Sequence, residues 1–400
     1  MSSFRAVLPA LANKYYFNYG GQGPLPTSSI KAITDSWYKI QELGPFTNNV
    51  WPYISNEIKE TKALLSIICG VTNNRVALTE NVTSGCILPL LGLPLNSGDH
   101  LLISDCEHPG VVSACKELAK RHHLIIDILK VQSLNKSVYT KTQKDNLIIQ
   151  QLEKTLCQKT KVIVLSHILW NTGEIMPIEL ISELINNHKN KPYLLVDAAQ
   201  SFGQISIKDA ASKADIYAFT GHKWAFGPEG LGGVILSERV LSESNPTLVG
   251  WKSLKKEESI YSNNLNPFHT DGRRFEIATS CTPLLAGLRN SLNLLQQEGT
   301  ASERLKTIKT FSNRLWSKLM AAKGINPILQ TSPPAGLVAF NIDSQLSPNQ
   351  IVKKLGRQSI WIRVLEDPTW LRACVHITST EEEINKLIYS VIEITKETVL

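Results

Sequence analysis

Two strings in this 400-residue chain place reactive residue types at the ends of apolar runs. In Ala218-Phe219-Thr220-Gly221-His222-Lys223 a lysine closes such a run. Trp224 and the glycine-rich Gly227-Pro228-Glu229-Gly230-Leu231-Gly232-Gly233 follow it, and glycine lets another backbone approach closely. A lysine amine condenses with an aldehyde and, once released, serves as a general base; the plain alternative is an exposed strand-end charge. In Val196-Asp197-Ala198-Ala199-Gln200 an aspartate directly follows an apolar run, at the sheet edge where α/β proteins bind ligands. Alone it reads as a helix cap. Paired with Lys223 it reads as a carboxylate that keeps a pyridinium nitrogen protonated, so that the ring draws electrons from a substrate Cα.

Two further segments share this placement. Thr79-Glu80-Asn81-Val82-Thr83-Ser84-Gly85 follows a run and opens a helix, where unpaired amides and the helix dipole favour a phosphate. By itself it reads as an ordinary N-cap by Thr83 or Ser84. Asp105-Cys106-Glu107-His108-Pro109-Gly110 ends another run. A lone histidine is usually structural, yet His108 stands beside the other strand ends, which suits an aromatic contact with a bound ring.

The elements that must position these strings are seven short apolar runs, at 76–78, 101–104, 124–126, 162–165, 194–196, 216–219 and 233–236. Continuously apolar strands point to burial on both faces of a mainly parallel, helix-covered sheet. Helical stretches lie between most of them, at 111–121, 146–157 and 177–187, which is the α/β pattern. The last third differs. Helical stretches at 283–298 and 302–323 precede strands near 336–342, 360–364 and 371–377, with a helix at 348–355. A closing helix starts at Thr380-Glu381-Glu382-Glu383, the form of a capping box. The expectation is a large α/β domain over 15–285 and a smaller α+β domain over 286–400, with residues 1–14 packing near the small one. The one loop-rich gap is 253–270.

Composition is that of an ordinary globular protein, 42% hydrophobic and 19% charged, with a net charge of +7. The cluster Lys252, Lys255, Lys256 is answered by Glu257 and Glu258, so no dense basic stripe marks a nucleic-acid surface, and an anionic small substrate is the better partner. No secretory signal is visible: Ala6-Val7-Leu8 is broken by Pro9. The apolar stretch 87–95 contains Pro89 and Pro94 and is too short to span a bilayer. Seven cysteines without CxxC spacing argue against a zinc site or a disulfide framework and for a reducing compartment. A cytoplasmic protein with no metal, membrane or nucleic-acid partner is expected.

Together these residues resemble the class V aminotransferase and cysteine desulfurase group of fold-type I pyridoxal-5′-phosphate (PLP) enzymes, over nearly the whole chain. Within that group, Tyr16-Phe17-Asn18-Tyr19-Gly20-Gly21-Gln22-Gly23, the string from Asp105 to Gly110, Leu165-Ser166-His167-Ile168-Leu169-Trp170-Asn171-Thr172-Gly173 and Asn245-Pro246-Thr247-Leu248-Val249-Gly250-Trp251 are similar to cyanobacterial cyst(e)ine C–S lyases. The resemblance implies PLP as cofactor, with Lys223 as its anchoring lysine and Asp197 as partner of the ring nitrogen. It places Gln200 and Asn171 on the ring-hydroxyl side, stacks His108 on the ring, and puts Thr83, Thr220 and His222 at the phosphate. It implies that Thr279, in Phe275-Glu276-Ile277-Ala278-Thr279, reaches the phosphate of a neighbouring subunit, hence a homodimer. Arg372, in Leu371-Arg372-Ala373-Cys374, matches the arginine that takes the substrate carboxylate bidentately, with Arg363 as helper. Trp251, residues 20–23 and the 253–270 loop are expected on the pocket wall.

Desulfurases of the group carry a nucleophilic cysteine on a loop just after the position of Arg363. Here that stretch reads Val364-Leu365-Glu366-Asp367-Pro368-Thr369-Trp370, and the nearest thiol, Cys374, sits in an apolar strand pattern of the kind that buries inert cysteines. Sulfur must then leave by β-elimination, with Lys223 removing the Cα proton. The expectation is a C–S lyase acting on L-cystine or L-cysteine, giving pyruvate, ammonia and a persulfide or sulfide for a sulfur acceptor protein, as in iron–sulfur cluster assembly. An aminotransferase, a cysteine desulfurase or a selenocysteine lyase is the alternative, and a non-catalytic PLP-binding scaffold is the reading from another class.

Overall fold

The computed structural model describes residues 3–136, 138–255 and 267–396, so most of the 253–270 loop lies outside the described residues. The chain opens with a one-turn helix, Ser3–Ala6 (α1), and a two-residue strand, Tyr15–Tyr16 (β1). Two long helices follow, Thr27–Leu43 (α2) and Val50–Cys69 (α3). The sequence expectations include neither. The fully buried residues of α2 are Ser29 and Ser36, with Ala32, Ile33, Ile40 and Leu43 half-buried on the same side.

Strands and helices then alternate: Val76–Thr79 (β2), Val82–Leu91 (α4), His100–Ser104 (β3), Pro109–His122 (α5), Ile125–Leu129 (β4), Lys141–Thr155 (α6) and Thr160–Ser166 (β5). Ile178–Asn187 (α7), Tyr193–Asp197 (β6), Lys208–Lys213 (α8), Ile216–Thr220 (β7), Gly232–Leu236 (β8) and Glu238–Glu243 (α9) continue the pattern. The seven expected runs are the seven strands of one sheet, ordered β2-β8-β7-β6-β5-β3-β4. Strands β3 to β7 pair in parallel, and β8 runs antiparallel to both β7 and β2. Strands β6, β7 and β8 are buried throughout, as continuous apolar runs require. Strand β4 departs from that expectation: Ile125 and Ile128 are 47% and 44% exposed, because β4 is an edge strand whose outer side no element covers fully.

The remainder comprises Thr282–Gln297 (α10), Ala301–Ala321 (α11), Ile325–Pro327 (β9), Leu337–Ile342 (β10), Pro348–Gly356 (α12), Ile360–Trp361 (β11), Arg363–Val364 (β12), Leu371–Cys374 (β13) and Glu381–Lys396 (α13). Strands β12-β13-β10-β9 form an antiparallel sheet, packed by α11, α12 and α13 around Leu315, Phe340, Ile351 and Leu387. The capping box opening α13 is present: the Glu383 carboxylate accepts from the Thr380 amide and the Thr380 hydroxyl from the Glu383 amide. Strand β1 pairs with β11, and Arg5 forms an ion pair with Glu383, so the N-terminal segment sits against this second layer. Helix α10 packs along α2 and α3 instead. We therefore place the change of layer between α10 and α11, some residues beyond 285. The carboxyl ends of β3, β5, β6 and β7 meet at one edge of the large sheet, and the strings singled out above begin there.

Candidate active site

A cavity of about 170 Å³ opens at that edge, lined among others by Thr83, His108, Asp197, Gln200, His222 and Lys223. The turn carrying Lys223 is pinned from outside the sheet. The Gly23 amide donates to the His222 carbonyl at 2.7 Å, and a Cβ on Gly23 would come within 2.1 Å of the Lys223 carbonyl oxygen. Only glycine fits this approach. Lys223 is half-buried, and the desolvation of its amine pulls its pKa down to about 8; Asp197 opposes the shift, while Arg372 and Arg363 add to it. An amine so poised is available as a nucleophile or base near neutral pH.

Asp197 ends β6, paired in register with Ser166 of β5. Its Oδ1 accepts from the Ala199 amide at 2.8 Å, which leaves the second oxygen for a ligand. Burial raises its pKa, and the Ala199 amide and Lys223 pull the other way. His108 is the N-cap of α5, where its Nδ1 accepts from the Gly110 amide at 3.2 Å and its ring meets Trp170 edge-on at 5.3 Å. Burial, followed by the charges of Lys223, Arg363 and Arg372, lowers its pKa to about 4. The imidazole is therefore neutral at physiological pH, with its proton on Nε2, and presents a flat uncharged face.

The N-terminus of α4 opens onto the cavity through Asn81, Val82 and Thr83. Its cap is Asn81, whose side chain accepts from the Ser84 amide at 2.9 Å, rather than Thr83 or Ser84 as the sequence suggested. Thr83 is thus released to face the cavity beside the helix-end amides. His222 joins it; burial and then Lys223 keep this ring neutral, with a pKa near 4. Thr220 is not among the cavity-lining residues. It is buried behind His222, with its hydroxyl 2.7 Å from His222 Nδ1, and orients that ring. Gln200 reaches the cavity while donating Nε2–H to the Gly20 carbonyl and accepting from Trp224 Nε1, so one amide hydrogen stays available.

Arg372, on β13, is 2% exposed. Its Nη1 donates to the Trp170 carbonyl at 2.9 Å, but Nε and Nη2 have no partner among the described residues. Those two nitrogens form one edge of the guanidinium fork, the edge that grips a carboxylate bidentately. Asn171 Oδ1 and Trp170 Nε1 are likewise buried and unpaired. Unpaired buried groups cost free energy that a ligand recovers. Arg363 pairs in register with Arg372 from β12 and is exposed. The loop between these strands closes through a 2.7 Å bond from the Leu365 amide to the Trp370 carbonyl and carries no thiol. Cys374 lies beneath Gly20, fully buried, and burial pushes its thiol pKa up.

Of the expected residues, Asn171, Arg363 and Arg372 join Thr220 in not lining this cavity, and Trp251 and Thr279 lie apart from it. Trp251 is 51% exposed and lies outside edge strand β2, in a depression with Trp51, Ile58 and Glu276. Thr279 is exposed in the run from Ala278 to Cys281. Conversely, Ser166 and Trp170 line the cavity although no role was read for them. The Ser166 hydroxyl donates to Glu107 Oε2 at 2.6 Å, and the buried Glu107 also accepts from Ser104 and from the Ser166 amide. Burial lifts Glu107 to about 7 against those bonds. Glu107 thereby ties the turn that carries His108 to the end of β5. Its sequence signal, an acid just before a helix start, is indistinguishable from an ordinary helix-dipole partner.

The half-buried Lys223 amine, the Asp197 carboxylate, the neutral His108 ring, the α4 N-terminus with Thr83 and His222, and the unpaired Asn171 Oδ1 are groups that fit PLP, and the open Arg372 edge fits an amino-acid carboxylate. A family model described as aminotransferase class-V matches residues 38–387. A structure of the cystine C–S lyase C-DES in complex with its reaction product cysteine persulfide is 38% identical, covering 97% of this chain and 99% of that one with a TM-score of 0.90. A lysine-to-alanine mutant of C-DES with glycine covalently linked to its PLP cofactor is 37% identical, covering 98% and 99%, again with a TM-score of 0.90. A protein of Halalkalibacterium halodurans named a probable cysteine desulfurase is 26% identical over 320 residues, 76% of this chain and 72% of the relative.

Proposed function

The chain belongs to the class-V aminotransferase family, and from that premise we propose that it is a PLP-dependent carbon–sulfur lyase acting on L-cystine or L-cysteine by β-elimination. Lys223 would anchor the cofactor, Thr83, His222 and the α4 N-terminus would hold its phosphate, and Asp197 its ring nitrogen. When bound, PLP supplies an electron sink for negative charge at the substrate Cα. Arg372 binds the substrate carboxylate through Nε and Nη2 and fixes the orientation of the Cα–H bond. Lys223 Nζ, released as a neutral amine, takes that proton. The Cβ–S bond then breaks with its electron pair leaving on sulfur. From cystine the leaving group is cysteine persulfide, a weaker base than a simple thiolate, so no protein acid need be aimed at it. Hydrolysis of the remaining three-carbon enamine gives pyruvate and ammonia.

The observation that carries elimination over a persulfide relay is the loop between β12 and β13. It is short, closed on itself, and holds Glu366, Asp367, Pro368 and Thr369 where a relay needs a mobile thiol. The sulfane sulfur would pass to an acceptor protein, with iron–sulfur cluster assembly as one use. Seven free cysteines among the described residues suit a reducing, cytoplasmic setting, and no described helix is long and apolar enough to cross a membrane. A homodimer accounts for the exposure of Thr279 and Trp251, together with Leu248 and Phe46. L-cystine incubated with the PLP-loaded protein is expected to yield pyruvate and persulfide in equal amounts. Alanine as product would establish a desulfurase, a keto acid with pyridoxamine phosphate an aminotransferase, and no product above a Lys223→Ala control would sink the proposal.

A further inference from the structure

At the opposite edge of the large sheet, one donor atom each from His100, Asp127 and Cys157 lie within 4.8 Å of one another. His100 is the first residue of β3, Asp127 the third of edge strand β4, and Cys157 sits in the turn between α6 and β5. His100 Nδ1 and Asp127 Oδ2 are 2.7 Å apart, with side chains 18% and 26% exposed. Both are therefore withdrawn from bulk solvent yet reachable by an ion. The thiol is fixed by its turn: the Cys157 amide donates to Thr160 Oγ1 at 3.0 Å, and that buried hydroxyl approaches Sγ at 3.5 Å. Two donors on neighbouring strands and one on a hydrogen-bonded turn are thus held close together before any ion arrives. Imidazole nitrogen, carboxylate oxygen and thiolate sulfur form the mixed set that borderline-soft, tetrahedral Zn²⁺ accepts, with the fourth position left to water.

We propose that His100, Asp127 and Cys157 form a Zn²⁺ site that clamps the edge of the sheet. Binding replaces the His100–Asp127 hydrogen bond, puts the imidazole proton on Nε2 and releases the Cys157 thiol proton. Carboxylate and thiolate together neutralise the two positive charges. The ion links edge strand β4 to β3 and to the entry of β5, where β4 is otherwise the least protected strand of the sheet. The site stands apart from the lyase reading, since the two ends of β3 are roughly 13 Å apart at about 3.3 Å per residue.

Metal-stripped, PLP-loaded full-length protein titrated with Co²⁺ should bind one equivalent with a thiolate-to-cobalt charge-transfer absorption, and Zn²⁺ should displace it. Cys157→Ser should abolish that absorption, and Asp127→Asn should weaken Zn²⁺ binding by at least about tenfold. Both variants should keep the circular dichroism and cofactor absorbance of the parent. Should Cys157→Ser not fold, Asp127→Asn decides alone. Absence of the charge-transfer band overturns the site. So does a band that survives Cys157→Ser, which would place the ion on another thiol such as the exposed Cys281.

Discussion

In the proposed reaction, Arg372 and Lys223 divide the work at the residue scale. The open Nε–Nη2 edge of Arg372 is a geometric device that a lysine cannot reproduce, since an ammonium is a point charge without a planar fork. Arg372→Lys is expected to forfeit one charge-assisted hydrogen bond, worth about 1.5–3 kcal/mol. Steady-state kinetics on L-cystine should show kcat/KM falling roughly ten- to a hundredfold, mostly through KM. An unchanged KM would mean that Arg372 does not hold the carboxylate. For Lys223, the depressed pKa sets a pH window. Below about 8 the amine of the cofactor-free chain is protonated and cannot attack the PLP aldehyde; above it the amine is neutral. The rate of PLP uptake, followed by the shift in cofactor absorbance, should therefore rise with pH and level off above about 8. A rate still climbing at pH 10 would show an amine that burial has not perturbed.

At the element scale, the site depends on turns held from behind. The loop after β5 that carries Trp170 and Asn171 also carries Glu174, which forms a buried ion pair with Lys144 of α6. Removing one partner strands the other charge in the interior, and such losses cost about 3–5 kcal/mol. Glu174→Ala should lower the urea midpoint accordingly, whereas Lys144→Met combined with Glu174→Leu should recover most of the loss. If the single variant lost no stability, the pair would be solvated in solution. The Gly20–Gly23 turn acts likewise: it takes the Gln200 amide, covers Cys374 and meets the Lys223 turn at a distance only glycine allows.

On the scale of the whole molecule, Thr279, which the family resemblance assigns to a neighbouring subunit's phosphate, and Trp251, expected on the pocket wall, both lie apart from their own chain's cavity and are exposed. A symmetric pair of chains would bring them to each other's sites. Complementation measures this directly. Lys223→Ala and Thr279→Ala chains, each impaired alone, should regain activity when unfolded together and refolded. Random pairing would leave roughly a quarter of all sites free of both lesions. Mixtures no more active than the average of the two parents would place Thr279 in its own chain's site or in none.

Much of this protein was legible before folding was considered. Apolar runs mark all seven strands of the large sheet, and the cavity of an α/β sheet opens where such runs end, which is why Asp197, His108 and Lys223, all three on its wall, could be singled out. The exposure of β4 was not legible, because a strand's position in a sheet is not written in its own residues. Tertiary structure alone decided three things: that Asn81 rather than Thr83 caps α4, that Glu107 ties His108 to β5, and that Trp251 stays outside its own chain's cavity. It also decided that His100, Asp127 and Cys157 meet. Separations of 27 and 30 residues form no motif. Parallel strands hundreds of atoms apart along the chain lie side by side, and only their pairing brings such donors within reach of one ion.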